Sequence, residues 1–145
     1  MSIKEVQEYI GKPRFTSQYD NIYNYNILHY KNSIQLLKNR SQLHFYNHTF
    51  FYGIQIFPYL TTNQKDEIFK LLEIKYALPI NVELPLKIVD LDNNILFVSN
   101  NVYLTLEYIS GNTQLLQNLQ FEYANWQKNK EKHEKEKIQI LLESL

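Results

Sequence analysis

VELPLKIVDLDNNILFVSNNVYLTLEYI, residues 82–109, is the stretch of sequence that decides the fold. Two polar breaks, at 92–94 and at 99–101, divide it into three apolar runs rich in β-branched and aromatic residues. Asn and Asp tolerate positive φ and hydrogen-bond their own backbone, so both breaks are typical of hairpin turns. Every second residue from Val102 to Tyr108 is apolar, which is the pattern of a half-buried antiparallel strand. The stretch therefore predicts a three-stranded meander.

Two helices are predicted before this meander. Ser2 and Glu5 have the spacing of a capping box, and an apolar stripe follows them. The second helix begins at Thr61 or Thr62 and ends before Pro79, because proline cannot continue a helix.

Residues 14–60 contain most of the aromatic side chains and predict further strands. A strand is expected from about Ile22 to Tyr30, and residues 33–37 fit either a strand or a helical turn. Polar composition predicts a turn at 38–41, and a hairpin is expected around residues 47–49.

The longest helix is predicted from Gly111 or Thr113 to Leu145. Its apolar stripe disappears between Gln127 and Lys137, where Lys and Glu alternate at helical spacing. The stripe then returns at four residues: Ile138, Leu141, Leu142 and Leu145.

These elements predict an α+β fold. We expect an antiparallel sheet of about six or seven strands, covered by helices on one face, with a long C-terminal helix. Residues 1–145 form one domain in this interpretation, and residues 127–145 are a helical extension that projects to a partner. The alternative is that the helix bends near Lys135 and its end folds back on the same domain.

Composition and net charge limit the classes of protein to which this chain can belong. The 145 residues carry a formal net charge of +0, which disfavours a protein that coats duplex nucleic acid. Cysteine is absent, no apolar run is long enough to span a membrane, and the N-terminus does not resemble a signal peptide. A cytoplasmic protein that does not bind membranes is therefore expected. Frequent Tyr, Asn, Lys and Ile with only two Arg are typical of an AT-rich genome.

No pattern of catalytic residues is present. The chain has no G-x-S-x-G motif, no thiol, and too few glycines for a phosphate-binding loop. Asp90, Asp92 and Asn94 match the first ligand positions of a Ca²⁺ loop, but Ile95 and Asn101 replace the required Gly and Glu. We therefore expect a hairpin turn there, and no catalytic residue, metal or cofactor.

Three histidines, His29, His44 and His48, have no cluster of acidic residues near them in sequence, so structural or surface roles are favoured over metal binding or acid–base chemistry. The string IVDLDNNILFVS also resembles the opening hairpin of a PAS sensor domain over about a dozen residues. Too little chain follows it to complete such a domain.

Aromatic side chains with basic neighbours offer a weaker ligand-binding hypothesis. The residues that could stack on bases or nucleotides, or lie beside them as basic groups, are Arg14, Phe15, Tyr19, Tyr23, Tyr25 and Arg40. Of these, Arg14, Tyr23, Tyr25 and Arg40 are the candidate ligand-binding residues. The alternative is that tyrosines simply suit the face and rim of a sheet.

The sequence favours a non-enzymatic interaction protein that forms a homo-oligomer or binds a protein partner. It would bind or inhibit another macromolecule, as an accessory protein of a phage or mobile element in an AT-rich host. Two alternatives stay open. One is a binder of small ligands or nucleotides that uses an aromatic cleft. The other is a dimer like the secretion chaperones, whose order of helices and strands this chain resembles.

Overall fold

A computed structural model describes residues 1–19, 22–34, 37–78 and 83–145, so Pro79 and Val82 lie outside the described residues. The helices are α1 (Ile3–Ile10), α2 (Thr62–Tyr76) and α3 (Thr113–Glu143). The strands are β1 (Phe15–Gln18), β2 (Tyr25–Ile34), β3 (Leu37–Tyr46), β4 (Thr49–Phe57), β5 (Leu86–Val89), β6 (Ile95–Asn100) and β7 (Leu104–Ile109).

The strands form one antiparallel sheet in the order β1-β2-β3-β4-β7-β6-β5. Strands β1 to β4 make a meander, and α2 connects it to the second meander, β5 to β7. Strand β7 then pairs with β4 and joins the two halves. The α+β fold with a seven-stranded antiparallel sheet and a long C-terminal helix is therefore confirmed.

Local turn chemistry fixes the hairpins. Asn47 and His48 both have positive φ, 48° and 64°, as a two-residue turn between antiparallel strands requires. In the β5–β6 turn the Asp90 carboxylate accepts hydrogen bonds from the backbone N–H groups of Asp92 and Asn94, both at 2.9 Å. A hydrogen bond from the Asn94 side chain, followed by these two backbone bonds, lowers the pKa of Asp90. The predicted hairpins at both places are confirmed.

Helices α1 and α2 pack on the same face of the sheet. Helix α1 contributes Val6 to a cluster that contains Leu28 and Phe45. Helix α2 contributes Ile68 and Leu72 to a second cluster; its other buried members are Phe57, Val98 and Leu104. The strand register places the sheet residues of both clusters on one face.

The first turns of α3 pack on the opposite face, so the expectation that helices cover one face of the sheet holds for α1 and α2 but not for α3. Leu115, Leu116 and Leu119 contact a third cluster, which is built on Tyr46 and Phe51. Phe51 is the extra residue of a bulge, because His44 pairs with Tyr52 while Phe45 pairs with Phe50. The bulge turns Phe51 towards α3.

Two local predictions differ from the structure. Residues 38–41, predicted as a turn, lie inside β3 and pair with β2 on one side, while Arg40 and Ser41 also pair with β4 on the other. Strand β2 begins at Tyr25, not at Ile22, because Asn24 adopts a positive φ of 58° in the turn before it.

Candidate functional site

The C-terminal half of α3 is exposed along its whole length. Partly buried residues of this helix recur at the spacing of one helical face as far as Trp126. Every residue from Gln127 to Leu145 is exposed, and the helix is unbroken through Lys135 to Glu143. At 1.5 Å per residue, the exposed helical segment is about 25 Å long.

Apolar side chains lie at the end of this exposed segment. Ile138, Leu141 and Leu142 are 57%, 56% and 60% exposed, and Leu145 is fully exposed. At 100° per residue, Ile138, Leu141 and Leu142 centre about a quarter turn around the helix from the stripe that packs on the sheet, and Leu145 follows the end of the helix at Glu143. We call Ile138, Leu141, Leu142 and Leu145 the apolar end. The apolar end therefore does not continue the face by which α3 contacts its own domain.

The segment between the sheet and the apolar end is stabilised along the helix itself. Lys132 forms an ion pair with Glu136 at 4.0 Å, and the Lys130 ammonium lies 5.3 Å from the centre of the Trp126 ring. Both contacts join residues four apart on one helical face. A charged, regular helix therefore carries the apolar end away from Trp126.

A second candidate surface is a groove of about 350 Å³ beside strands β1, β2 and β3. Arg14 and Arg40, the two arginines of the chain, both line it. The other residues of the lining include Phe15, His29, Lys31 and Gln42. We call this surface the basic groove.

The wall of the basic groove is ordered by strand pairing. Phe15 pairs with His29 across β1 and β2, and their rings stack with centroids 4.1 Å apart and planes 12° apart. The Ser17 hydroxyl lies 2.8 Å from His29 Nε2, which fixes the imidazole from the other edge. Phe15 is nevertheless 54% exposed, so one face of its ring is open to solvent.

The other two residues of the sequence-based ligand hypothesis lie elsewhere. Tyr23 is 82% exposed in the turn before β2, and Tyr25 belongs to the cluster beneath α3. The structure therefore brings Arg14 and Arg40 together and leaves Tyr23 and Tyr25 outside the basic groove. Sequence reasoning named Phe15 for stacking but left His29 and Lys31 out of the ligand hypothesis, because only the register of β1 with β2 and β3 shows that they are neighbours.

Tyr25 and His44 form a hydrogen-bonded pair on the face that α3 contacts. Tyr25 Oη lies 2.6 Å from His44 Nδ1, and His44 Nε2 lies 3.3 Å from the Gln42 side-chain oxygen. A neutral imidazole with its proton on Nε2 satisfies both contacts. Burial, and then the charge of His29, lower the pKa of His44 to about 4. Burial and Tyr19 raise the pKa of Tyr25 to about 12.

Two further tyrosines lie against carboxylates. The Tyr52 hydroxyl donates to the Glu107 carboxylate at 2.7 Å, across β4 and β7. Burial and then this contact raise the pKa of Tyr52 well above its usual range. Burial, followed by Glu122 of α3, raises the pKa of Tyr46 to about 12. These hydroxyls keep their protons at neutral pH, so the contacts are structural hydrogen bonds.

An apolar cleft of about 390 Å³ lies between α1 and α2. Leu43, Leu96 and Leu106 are among its lining residues, and Gln55 lies at a polar edge. Gln55 donates its side-chain N–H to Asn39 at 3.0 Å, so this group is already engaged. The cleft therefore offers mainly hydrocarbon contact.

Within the described ranges, no three His, Asp or Glu side chains lie close enough together to hold a metal ion. Of the helices in the described part of the chain, none has both the length and the apolar character needed to cross a membrane. Comparison with known proteins found no matching family model, no matching curated protein and no matching solved structure.

Proposed function

We propose that this protein is a non-enzymatic interaction protein that self-associates through the exposed half of α3. In this proposal the apolar end of one copy packs against the apolar end of a second copy. The observation that carries it is the exposure of every residue from 127 to 145, with five large aliphatic side chains at the far end, namely Ile140 and the four of the apolar end. Clustered aliphatic side chains on an isolated helix end mark a surface that another helix covers.

Symmetry and charge favour a second copy as the partner. An isologous two-fold interface needs one self-complementary patch, and an antiparallel pair of identical helix ends supplies it. The charges next to the apolar end alternate in sign, with Glu131, Glu134 and Glu136 among five lysines. Lys and Glu of opposite copies can therefore face each other without strong like-charge repulsion.

The expected affinity is modest. Complete burial of a Leu or Ile side chain stabilises a complex by about 1.5–3 kcal/mol. The apolar ends of two copies together offer eight such side chains. Association costs about 4–15 kcal/mol in lost translational and rotational freedom, and a helix pair buries each side chain only in part. We therefore expect a dimer that dissociates on dilution rather than a permanent one.

Sedimentation velocity over a concentration series tests the proposal. The native chain should shift from monomer to dimer as concentration rises, while a Leu141→Glu, Leu142→Glu double variant should stay monomeric. Phe121→Glu is the matched control, since Phe121 is also an exposed apolar residue of α3, at 69%, but lies outside the apolar end. This control should dimerise like the native chain. A native chain that stays monomeric at every concentration contradicts self-association.

A further inference from the structure

Residues 11–60 have a net positive charge although the whole chain is neutral, because carboxylates are scarce in this part of the sequence. Residues 11–60 carry five cationic side chains against one carboxylate, that of Asp20. The cations are Lys12, Arg14, Lys31, Lys38 and Arg40. A neutral net charge therefore conceals a basic region, and it is no evidence against local binding of anions.

Three of these cations meet at one place. Arg14, Lys31 and Arg40 all line the basic groove. A second concavity of about 370 Å³ continues from it, and Lys12, Arg14 and Lys31 line this extension. Within the described ranges the ion pairs lie on α3, and none of these cations takes part in one.

Strand pairing holds two of the cations side by side. Lys31 of β2 and Arg40 of β3 are direct cross-strand partners, and both are exposed. Like charges directly opposite each other on one face of a sheet are destabilising. An anion between them would turn that repulsion into two favourable contacts, as arginine and lysine provide at phosphate sites.

The groove also has a flat apolar wall. The Phe15 ring is stacked on His29 by one face, and the His29 imidazole is held by Ser17. The exposed face of Phe15 is free to stack on a further planar ring, as aromatic side chains do on nucleobases. The lining thus combines a site for an anion with a site for an aromatic ring.

From these observations we infer that the basic groove binds a small phosphorylated molecule with a planar ring, of the nucleoside phosphate class. Arg14, Lys31 and Arg40 hold the phosphates, and Phe15 stacks on the ring. This inference is independent of the proposed self-association, because the groove and the apolar end are on different elements and share no residue.

Isothermal titration calorimetry of the full chain with ATP, pyrophosphate and adenosine, without divalent cations, tests the inference. ATP should bind, pyrophosphate should bind more weakly, and adenosine should not bind measurably. Arg40→Gln should weaken ATP binding by about tenfold or more, since it removes charge-assisted hydrogen bonds. Phe15→Ala should weaken ATP binding but leave pyrophosphate binding unchanged.

Lys38→Gln is the matched control for Arg40→Gln. Lys38 is an exposed cation two residues earlier on β3 and on the same face, but it is not part of the groove lining. It should change ATP binding by less than about twofold, as expected for a screened charge outside the site. Circular dichroism shows whether Arg40→Gln folds. If it does not fold, Arg14→Gln takes its place, because this variant also removes one cation of the groove.

Three outcomes would overturn the inference. One is that neither ATP nor pyrophosphate binds to the native chain. A second is that Lys38→Gln weakens binding as much as Arg40→Gln, which would indicate diffuse attraction to the basic region. The third is that adenosine binds as tightly as ATP, which would remove the phosphates from the interaction.

Discussion

Gly111 lies where the start of α3 meets the β5–β6 turn. Its backbone N–H donates to the Asn94 side-chain oxygen at 2.7 Å. A Cβ atom at this position would lie 2.1 Å from the carbonyl oxygen of Asp92 and 2.7 Å from the carbonyl carbon of Asn93. Both are backbone atoms, so a side chain can be accommodated only if the turn moves.

We therefore expect Gly111→Ala to destabilise the fold by about 1–3 kcal/mol, the usual range for overpacking. Urea unfolding followed by circular dichroism measures the change. Thr113→Ala, at the exposed first residue of α3, is the control and should stay within about 0.5 kcal/mol of the native chain. Equal stability of Gly111→Ala and the native chain would show that the turn yields to the added methyl group.

His44 makes the stability of the fold depend on pH in the acidic range. Its pKa falls from 6.5 to about 4 on folding, so the unfolded chain takes up a proton first as pH is lowered. The contribution of His44 to stability is therefore complete above pH 6.5 and is lost as pH falls towards 4. Protonation would also remove the acceptor Nδ1 that faces Tyr25.

The measurement is the free energy of unfolding in urea at pH 7, 5.5 and 4.5. His44→Asn should flatten the decline between pH 6.5 and 4, whatever its effect on stability at pH 7. His48→Asn should keep the native decline, since His48 is exposed at a hairpin tip where Asn also tolerates the positive φ. Parallel declines in the native chain and His44→Asn would show that other groups cause the acid response.

At the level of helices and strands, turns and helix starts could be predicted from the sequence, whereas the pairing of strands could not. The turn at Asn47 and His48 and the helix start at Thr61 each depend on residues within about four positions. Residues 38–41 have the composition of a turn, yet they pair with β2, and Arg40 and Ser41 also with β4. Tertiary pairing overrides local preference where a polar segment lies inside a sheet.

The same difference between local patterns and strand pairing applies to the two candidate surfaces. The apolar end of α3 is visible in sequence, because the loss and return of a helical stripe is a local pattern. For the basic groove, the sequence identifies Arg14 and Arg40 as candidates but not that they lie together, because they become neighbours only through the register of three strands. Alternation along β2 could have placed His29 and Lys31 on one face, but not opposite Arg40.

At the scale of the whole molecule, the three buried clusters found among the described residues lie between the sheet and the helices, and none of them includes a residue beyond Leu119. Trp126 is the last partly buried residue of α3, and every residue after it is exposed. The segment 127–145 therefore adds little to the stability of an isolated copy. Its contribution should appear only when copies associate.

Truncation after Trp126 separates these two contributions. At low micromolar concentration the truncated and native chains should have nearly the same Tm, because the removed residues are exposed. At higher concentration the Tm of the native chain should rise, since binding to the folded state stabilises it by mass action, while that of the truncated chain should not. Scanning calorimetry over a hundredfold range of concentration measures both effects. A truncated chain that unfolds even when dilute would show that residues 127–145 contribute to the core of their own copy.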